Sequence, residues 1–338
     1  MKQPLCRSLQ PFVDDSVYER FDARNIVFAR VKWDTEAPFY RKDIYSEADE
    51  IISRDIEGYS RKEFERSRAA WAMHELLRSR FGEQWEANQS QSETTRPSSR
   101  SKQSNPGEMS RWIKEAGRYY GATLTGITER DDRWLYTHQR DGSVIDFDPD
   151  LRYVIVMATA MDPALIRKSP AFDSATAVGI GYSRMAFLVS TLAEMISNLG
   201  YRAVPMANDT ALSIPLAIQA GLGQLGRNGM LLAPSHGACL RLCKVLTDLP
   251  LEPDNASEPA LNDTCRSCTI CAASCPVGAI SDQKEPSYET TSVSNNRGVL
   301  RWPVDPELCY GFWVKNGTDC SNCIAHCPMT PPAVSKMT

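Results

Sequence analysis

The chain has 338 residues, which is enough for two or three domains of ordinary size. Its hydrophobic content of 42% and charged content of 24% are typical of a globular protein, and no apolar run is long enough to span a bilayer. The net charge of −4 gives no sign of a nucleic-acid-binding surface. The N-terminal stretch has neither an apolar segment nor a twin-arginine pair, so we expect a cytoplasmic protein.

Changes in composition divide the chain into four segments. Apolar side chains recur at helical spacing from Lys62 to Phe81, which predicts a helix near the end of the first segment. The second segment, residues 88–108, has no aliphatic or aromatic residue and is rich in Ser, Gln, Thr and Pro, which predicts a flexible linker. The expected units are an N-terminal region packing on the core (1–87), the linker (88–108), an α/β core (109–255) and a cysteine-rich domain (256–338).

The core alternates predicted helices and strands. A helix is predicted to begin at Glu108 or Ser110 and to end near Gly121. A second helix is predicted over Tyr182–Leu199, because apolar residues line one of its faces and Gly200 follows its end. The predicted strands are Thr123–Thr128, Tyr153–Ala158, Arg202–Pro205, Met230–Ala233 and Leu240–Leu246, and the predicted later helices are Tyr182–Leu199 and Ser213–Ala220.

The segment 221–229, Gly-Leu-Gly-Gln-Leu-Gly-Arg-Asn-Gly, is unusually rich in glycine. Glycine permits positive φ angles and a close approach of the backbone to a ligand. The segment follows a helix and precedes a strand, which is the wrong order for a Rossmann dinucleotide turn. A plain structural turn and a nicotinamide site remain alternatives, but the pattern favours a cradle for another large cofactor.

Two residues of the core stand out. Strand alternation places Lys244 on one face with Leu240, Leu242 and Leu246, so this lysine lies either at a strand end facing water or buried in a functional role. Tyr182 follows two glycines and, taken alone, is an ordinary core or surface tyrosine.

The last quarter of the chain carries two cysteine motifs, each with cysteines at single-loop spacing and a final Cys-Pro pair. This spacing is typical of two [4Fe–4S] clusters, in which the cysteine before proline ligates the other cluster. Zinc sites and disulfides fit the pattern less well. The second motif has Gly317 where a full copy would have cysteine, so Cys309 is assigned in its place. The predicted ligands are Cys265, Cys268, Cys271 and Cys327 for the first cluster, and Cys309, Cys320, Cys323 and Cys275 for the second.

Three cysteines, Cys6, Cys239 and Cys243, are left over. The cluster motifs imply a reducing compartment, which disfavours a disulfide. We therefore expect these three side chains to act as small buried hydrophobes.

Several segments together resemble the corrinoid-dependent reductive dehalogenases. The resemblance runs from about Tyr18 to Pro328 and is strong from Tyr182 onward. It rests on the two cysteine motifs and on these runs: Tyr182-Ser-Arg-Met-Ala186, Pro205-Met-Ala-Asn-Asp-Thr-Ala-Leu-Ser-Ile-Pro215, the glycine segment, and Lys244-Val-Leu-Thr-Asp-Leu-Pro250.

The resemblance implies an α+β fold, with a nitroreductase-like α/β cobalamin-binding core beside a two-cluster ferredoxin-like module. It implies base-off cobalamin, a catalytic tyrosine that gives its proton to the substrate carbon, and a cationic partner for that tyrosine, at the positions of Tyr182 and Lys244. It also implies cofactor contacts at Asn208, Ser213, Gly221, Gly223, Gln224, Leu225, Gly226, Arg227 and Asn228. The chain has no Asp-x-His-x-x-Gly motif, which agrees with base-off binding.

The expected activity is reductive dehalogenation of a small organohalide, with electrons from an external low-potential donor of the ferredoxin or flavodoxin type. The usual C-terminal segment and a fused flavin reductase are absent from this sequence. One alternative is an epoxyqueuosine reductase-like cobalamin and iron–sulfur enzyme acting on tRNA. That family has an acidic residue at the position of Tyr182. The other alternative is a non-catalytic iron–sulfur electron carrier.

Overall fold

The computed structural model describes residues 12–78 and 105–333. Residues 88–104 of the predicted linker and Cys6 lie outside the described residues. No helix of the two described ranges is long and apolar enough to cross a membrane. The helices before the core are α1 (Val27–Trp33), α2 (Ala48–Ser53), α3 (Arg61–Ala69) and the described part of α4 (residues 72–78).

The remaining elements follow the predicted order closely. The helix that we expected from Glu108 or Ser110 begins at Pro106, because Asn105 caps it by accepting a hydrogen bond from the Gly107 N–H at 2.8 Å. The core elements are α5 (Pro106–Tyr119), β1 (Leu124–Glu129), β2 (Tyr153–Ala160), α6 (Pro163–Ile166), α7 (Phe172–Asn198), β3 (Ala203–Met206), α8 (Ser213–Gln219), β4 (Gln224–Leu225), β5 (Leu231–Leu232) and β6 (Leu240–Thr247). The cysteine-rich domain contributes α9 (Ile270–Ala273), α10 (Pro306–Asn316) and α11 (Asn322–Ala325).

Four strands form one antiparallel sheet in the order β1-β2-β6-β3. Apolar side chains fill both faces. One face packs with α5 and α7 and includes Ile155, Cys243 and Val245. The other face includes Val156 and Leu246 and packs with α8. Because alternate residues of β6 point to opposite faces, the strand separates the neighbours of α7 from those of α8.

The prediction for α7 is wrong at its start. We expected the helix to begin at Tyr182, but it begins at Phe172, so Tyr182 lies in its interior. Gly179 and Gly181 suggested a boundary because glycine costs about 1 kcal/mol relative to alanine inside a helix. Both glycines lie within the helix, and neighbouring side chains approach the backbone closely at these positions, which leaves no room for a Cβ.

The N-terminal region packs on the core and on the cysteine-rich domain. Arg66 of α3 pairs with Asp173, which is also paired with Lys168 at 2.6 Å. Tyr59 Oη donates to Asn316 Oδ1 at 2.8 Å in α10. These contacts brace α3 against α7 and tie the same region to the cysteine-rich domain.

Candidate active site and cluster ligands

Tyr182 projects from α7 into a group of side chains from three other parts of the chain. Its ring stacks on Trp71, with centroids 4.5 Å apart and an interplanar angle of 24°. His74 meets the ring edge-on at 5.3 Å, and burial lowers the pKa of this histidine below its usual value. The N-terminal region therefore forms one wall around the phenol.

The two glycines of α7 make room for the neighbours of Tyr182. A Cβ at position 179 would lie 2.7 Å from Trp71 Cδ1, and a Cβ at position 181 would lie 2.9 Å from Arg241 Cγ. Larger residues at either position would push away a side chain that contacts Tyr182. The two glycines thus allow Trp71 and Arg241 to approach α7 closely.

Arg241 is the residue of this site that sequence reasoning missed. Its guanidinium carbon lies 4.9 Å from the centroid of the Tyr182 ring. Its Nε is buried without a hydrogen-bond partner among the described residues. Strand alternation could have found it, because Arg241 shares a face of β6 with Cys243 and Val245, the face on which α7 packs.

Asn208 binds the hydroxyl of Tyr182. Its Nδ2 donates to Tyr182 Oη at 3.1 Å, and the Asn208 side chain is exposed. Arg140 donates to the backbone carbonyl of Asn208 at 3.2 Å. The phenol hydroxyl therefore meets an amide donor at a surface that a substrate can reach.

Lys244 lies on the opposite face of β6 and is fully buried, with 0% of its surface exposed. Of the two alternatives, the buried one is correct. Its Nζ donates to the carbonyls of Ala207, Asp209 and Ala211 and to Ser213 Oγ at 2.8–3.3 Å, and none of its hydrogen bonds reaches Tyr182. Tyr182 and Lys244 are connected through the loop 207–213. The cation beside the Tyr182 ring is Arg241.

The glycines of segment 221–229 face the protein's own atoms. A Cβ at Gly221 would lie 2.5 Å from the Asn255 carbonyl oxygen, and one at Gly223 would lie 2.4 Å from the Leu232 carbonyl oxygen. At Gly226 the nearest atom is Leu232 Cδ1, at 2.7 Å. At these glycines the backbone therefore packs closely against other parts of the same chain. This is what the structural-turn alternative predicts.

Arg227 serves the cluster domain. It is fully buried and its guanidinium donates to the backbone carbonyls of Cys268, Ser281, Gln283 and Cys265 at 2.5–2.9 Å. Its backbone N–H points to Cys265 Sγ at 3.4 Å, and its guanidinium carbon lies 5.0 Å from the Trp302 ring centroid. We predicted a cofactor contact for this side chain, but the structure places it inside the loop of the first cysteine motif.

The other predicted cofactor contacts of this segment are also engaged within the protein. Gln224 Nε2 donates to the Pro259 carbonyl at 2.8 Å, and the Leu225 backbone pairs with Leu261. Asn228 is buried, with Nδ2 3.4 Å from the Cys323 carbonyl oxygen. The segment therefore does not fit a corrinoid cradle, and we assign no corrinoid contact to its side chains.

The structure brings the cysteines of the two motifs close to one another. Burial, followed by the neighbouring thiols Cys265, Cys327 and Cys268, raises the pKa of Cys271 to about 11. In the second set, burial followed by Cys320 and Cys275 raises the pKa of Cys309 to about 12. Burial also raises the pKa of Cys323, and its neighbours include Cys309, Cys320 and Cys275.

These thiols fit two clusters as ligands. Iron binds thiolates, so cluster assembly must release the protons that burial retains on the free thiols. Backbone N–H groups already point to ligand sulfurs, with Ala279 N 3.2 Å from Cys275 Sγ and Asn322 N 3.4 Å from Cys320 Sγ. Among the described residues, no group of three or more His, Cys, Asp or Glu is placed to hold a single metal ion.

The replacement of a motif cysteine by Gly317 has a geometric reason. Gly317 ends α10 with φ of 68°, and a Cβ there would lie 2.8 Å from Ala48 Cα. A cysteine would be strained at this position and would push α2 away. Cys309 lies within α10 itself, and its neighbours include Cys320 and Cys275.

The two leftover cysteines that the structure describes behave as expected. Cys239 and Cys243 are buried and free. Burial raises the pKa of Cys239 to about 11 and that of Cys243 to about 12, so both are unreactive thiols packed in the core.

Comparison with known proteins agrees with a two-cluster domain and with the fold. Residues 264–330 match the family described as 4Fe-4S dicluster domain. A tetrachloroethene reductive dehalogenase from Desulfitobacterium hafniense is 36% identical over 262 residues, which cover 65% of this chain and 48% of the relative. The chain thus spans about half the length of the curated relatives it matches.

Two solved structures share the fold. One, described as a reductive dehalogenase structure that suggests a mechanism for B12-dependent dehalogenation, is 26% identical, with a TM-score of 0.63 over 71% of this chain and 34% of that chain. A catabolic reductive dehalogenase bound to 3-bromo-4-hydroxybenzoic acid, 22% identical, has a TM-score of 0.71 over 95% of this chain and 43% of that chain.

A shorter match connects the chain to a second class of enzyme. An epoxyqueuosine reductase from Listeria monocytogenes is 34% identical over 98 residues, 29% of this chain and 24% of the relative. The longer match in sequence and the likeness in fold both lead to the same class. The chain is a homologue of the reductive dehalogenases and carries a 4Fe-4S dicluster domain at residues 264–330.

Proposed function

We propose that this protein catalyses reductive dehalogenation of a small organohalide. In this reaction two electrons and one proton replace the halogen with hydrogen, and halide leaves. The observation that carries the proposal is the exposed Tyr182–Asn208 pair beside Arg241, on a chain that also holds two sets of cluster ligands.

Tyr182 is the proposed proton donor. Its hydroxyl is held by the Asn208 amide, which leaves the phenol proton free to turn toward a substrate. The guanidinium of Arg241 favours the phenolate that remains after transfer, because an opposite charge nearby stabilises the charged form. Trp71 fixes the ring by stacking on it.

Electrons are proposed to enter through the two clusters from an external low-potential donor. Each four-iron cluster carries one electron at a time, so two clusters match a two-electron reduction. Base-off cobalamin is the proposed partner for the carbon–halogen bond, in keeping with the B12-dependent relative, and it would supply the electrons to that bond. The residues that contact it are left unassigned, because segment 221–229 packs on the protein itself.

The test is an anaerobic assay of the protein reconstituted with iron, sulfide and cobalamin. A strong chemical reductant stands in for the donor, and a panel of chlorinated ethenes and halogenated phenols is screened for halide release. We expect halide in step with dehalogenated product. Turnover on epoxyqueuosine-containing RNA, with no halide from any organohalide, would support the tRNA enzyme instead, the class of the shorter match.

A further inference from the structure

The loop 207–213 between β3 and α8 carries Asn208, and the ammonium of Lys244 binds this loop through hydrogen bonds. The ammonium is completely buried, and none of its four hydrogen-bond acceptors is a carboxylate. A buried ammonium with this environment is costly unless every proton finds an oxygen. The titratable groups near it are the carboxyl group of Asp209 and the thiol of Cys243.

The four acceptors follow a regular pattern. They belong to every second residue of the loop, at positions 207, 209, 211 and 213, and the Nζ–O distances are 2.8, 3.3, 3.1 and 2.9 Å. Four oxygens of the loop are thereby fixed to one nitrogen. Asn208 lies between the first two acceptors and reaches Tyr182 on α7.

The backbone of the loop is strained at the centre of this arrangement. Thr210 has φ of 68°, a left-handed conformation that a β-branched residue rarely adopts. Such a conformation persists where the surroundings impose it. Lys244 binds the carbonyls on both sides of Thr210, those of Asp209 and Ala211, and so supplies that constraint.

We propose that Lys244 is a positioning residue whose ammonium holds the loop 207–213 in the conformation that presents Asn208 to the hydroxyl of Tyr182. It acts on the proton donor through Asn208, without contacting Tyr182. This inference rests on the proposed function for its effect on turnover. Its effect on the loop is independent of that function.

The first test measures the loop itself. Lys244→Met keeps the length of the side chain and removes the ammonium. Hydrogen exchange is followed at the amides of Ala211 and Leu212, which donate to the carbonyls of Asp209 and Trp134. We expect exchange to become about tenfold faster, since removing the donor from buried acceptors loosens their segment. Lys114→Met, at a partly exposed lysine of α5 that pairs with Asp254, is the matched control and should leave this exchange unchanged.

A milder variant covers the case in which Lys244→Met does not fold. Ser213→Ala removes one of the four acceptors and keeps the charge. It should raise loop exchange in the same direction by a smaller factor. Native exchange in Ser213→Ala and in a folded Lys244→Met would overturn the proposal.

The second test measures turnover in a double-mutant cycle with Asn208→Ala. Each single variant should lower kcat with little change in KM, at unchanged iron and cobalt content. The double variant should be no slower than the slower single variant, because both changes remove the same contact to Tyr182. Additive losses would show that Lys244 does not act through Asn208. If the unmodified protein releases no halide while Lys244→Met loosens the loop, the proposed function fails and the loop-holding role stands.

Discussion

The alternation of side chains along a strand predicts the surroundings of the site residues only in part. These residues are Tyr182, Asn208, Arg241 and Lys244. Alternation along β6 correctly places Lys244 among leucines, and its burial confirms that this lysine is not at a wet strand end. The same alternation puts Arg241 on the face of α7, next to the Tyr182 ring. Identifying Arg241 as the cation beside Tyr182 therefore requires knowing which face of β6 packs against α7. That is a tertiary contact, which the sequence alone does not show.

Lys244 should make the stability of the protein depend on pH. Burial is the main cause that lowers its pKa from 10.5 to about 8. The unfolded chain then binds more protons than the folded chain between these values, so the unfolding free energy rises with pH across this interval. The contribution is about 3 kcal/mol in full, from the difference between the two pKa values.

Urea unfolding at pH 7 and pH 10 measures this dependence in the unmodified protein and in Lys244→Met. The gain in stability on going to pH 10 should be smaller in Lys244→Met, because the other titrating groups are common to both proteins. Equal gains in the two proteins would mean that Lys244 keeps an ordinary pKa.

At the scale of elements, spacing and apolar periodicity predicted most strands and helices to within a few residues. The exceptions share a cause. Gly179 and Gly181 looked like a helix boundary, and segment 221–229 looked like a ligand cradle, because glycine signals a close approach without identifying the partner. In both places the partner is another part of this chain: Trp71 and Arg241 at α7, and the backbones of Asn255 and Leu232 at the loop.

Gly179 sets the packing of α7 against Trp71. Gly179→Ala would gain about 1 kcal/mol of helix propensity but would place a Cβ 2.7 Å from the indole. We expect a net loss of stability of about 1–3 kcal/mol, typical of overpacking, and reduced halide release as Trp71 leaves the Tyr182 ring. The second substitution Trp71→Ala removes the contact with the indole and leaves the one with Ala70 Cβ at 2.9 Å, so the double variant should recover part of the lost stability in urea unfolding. No recovery would show that the clash is not the cause.

Arg227 ties segment 221–229 to the loop of the first motif. Arg227→Gln cannot reproduce four hydrogen bonds to backbone carbonyls, so that loop should lose its shape and its cluster. Iron should fall from about eight to about four atoms per chain, the content of one four-iron cluster. Arg266→Gln is the matched control, because this exposed arginine of the same loop pairs with Asp263. Full iron content in Arg227→Gln would contradict the assigned role.

At the scale of the whole molecule, the cysteine-rich domain was the most predictable part. The cysteine spacing predicts two four-iron clusters, and the matched dicluster domain agrees with that number. Counting cysteines predicts Cys309 as the unusual ligand of the second set. The sequence gives no reason for the glycine at position 317, because the close approach of Ala48 to Gly317 joins residues far apart in the chain.

Cys309→Ala should remove one cluster and leave the other. The second set would keep three thiolates, while the first set would be complete, so iron should fall to about four atoms per chain. Cys239→Ala, a buried cysteine outside both sets, is the control and should keep about eight. Loss of all iron in Cys309→Ala, from a protein that remains folded, would mean that the two clusters do not assemble separately.

The central claim is that Tyr182 gives a proton to a carbon that loses its halogen. It is tested most directly by halide release from the unmodified protein and from Tyr182→Phe, matched in iron and cobalt content. Phenylalanine keeps the ring that stacks on Trp71 and removes the hydroxyl that binds Asn208. The account predicts a rate lower by about 10²–10⁴-fold, the usual contribution of a general acid. Halide release by Tyr182→Phe at the unmodified rate, with both kinds of cofactor intact, would contradict it.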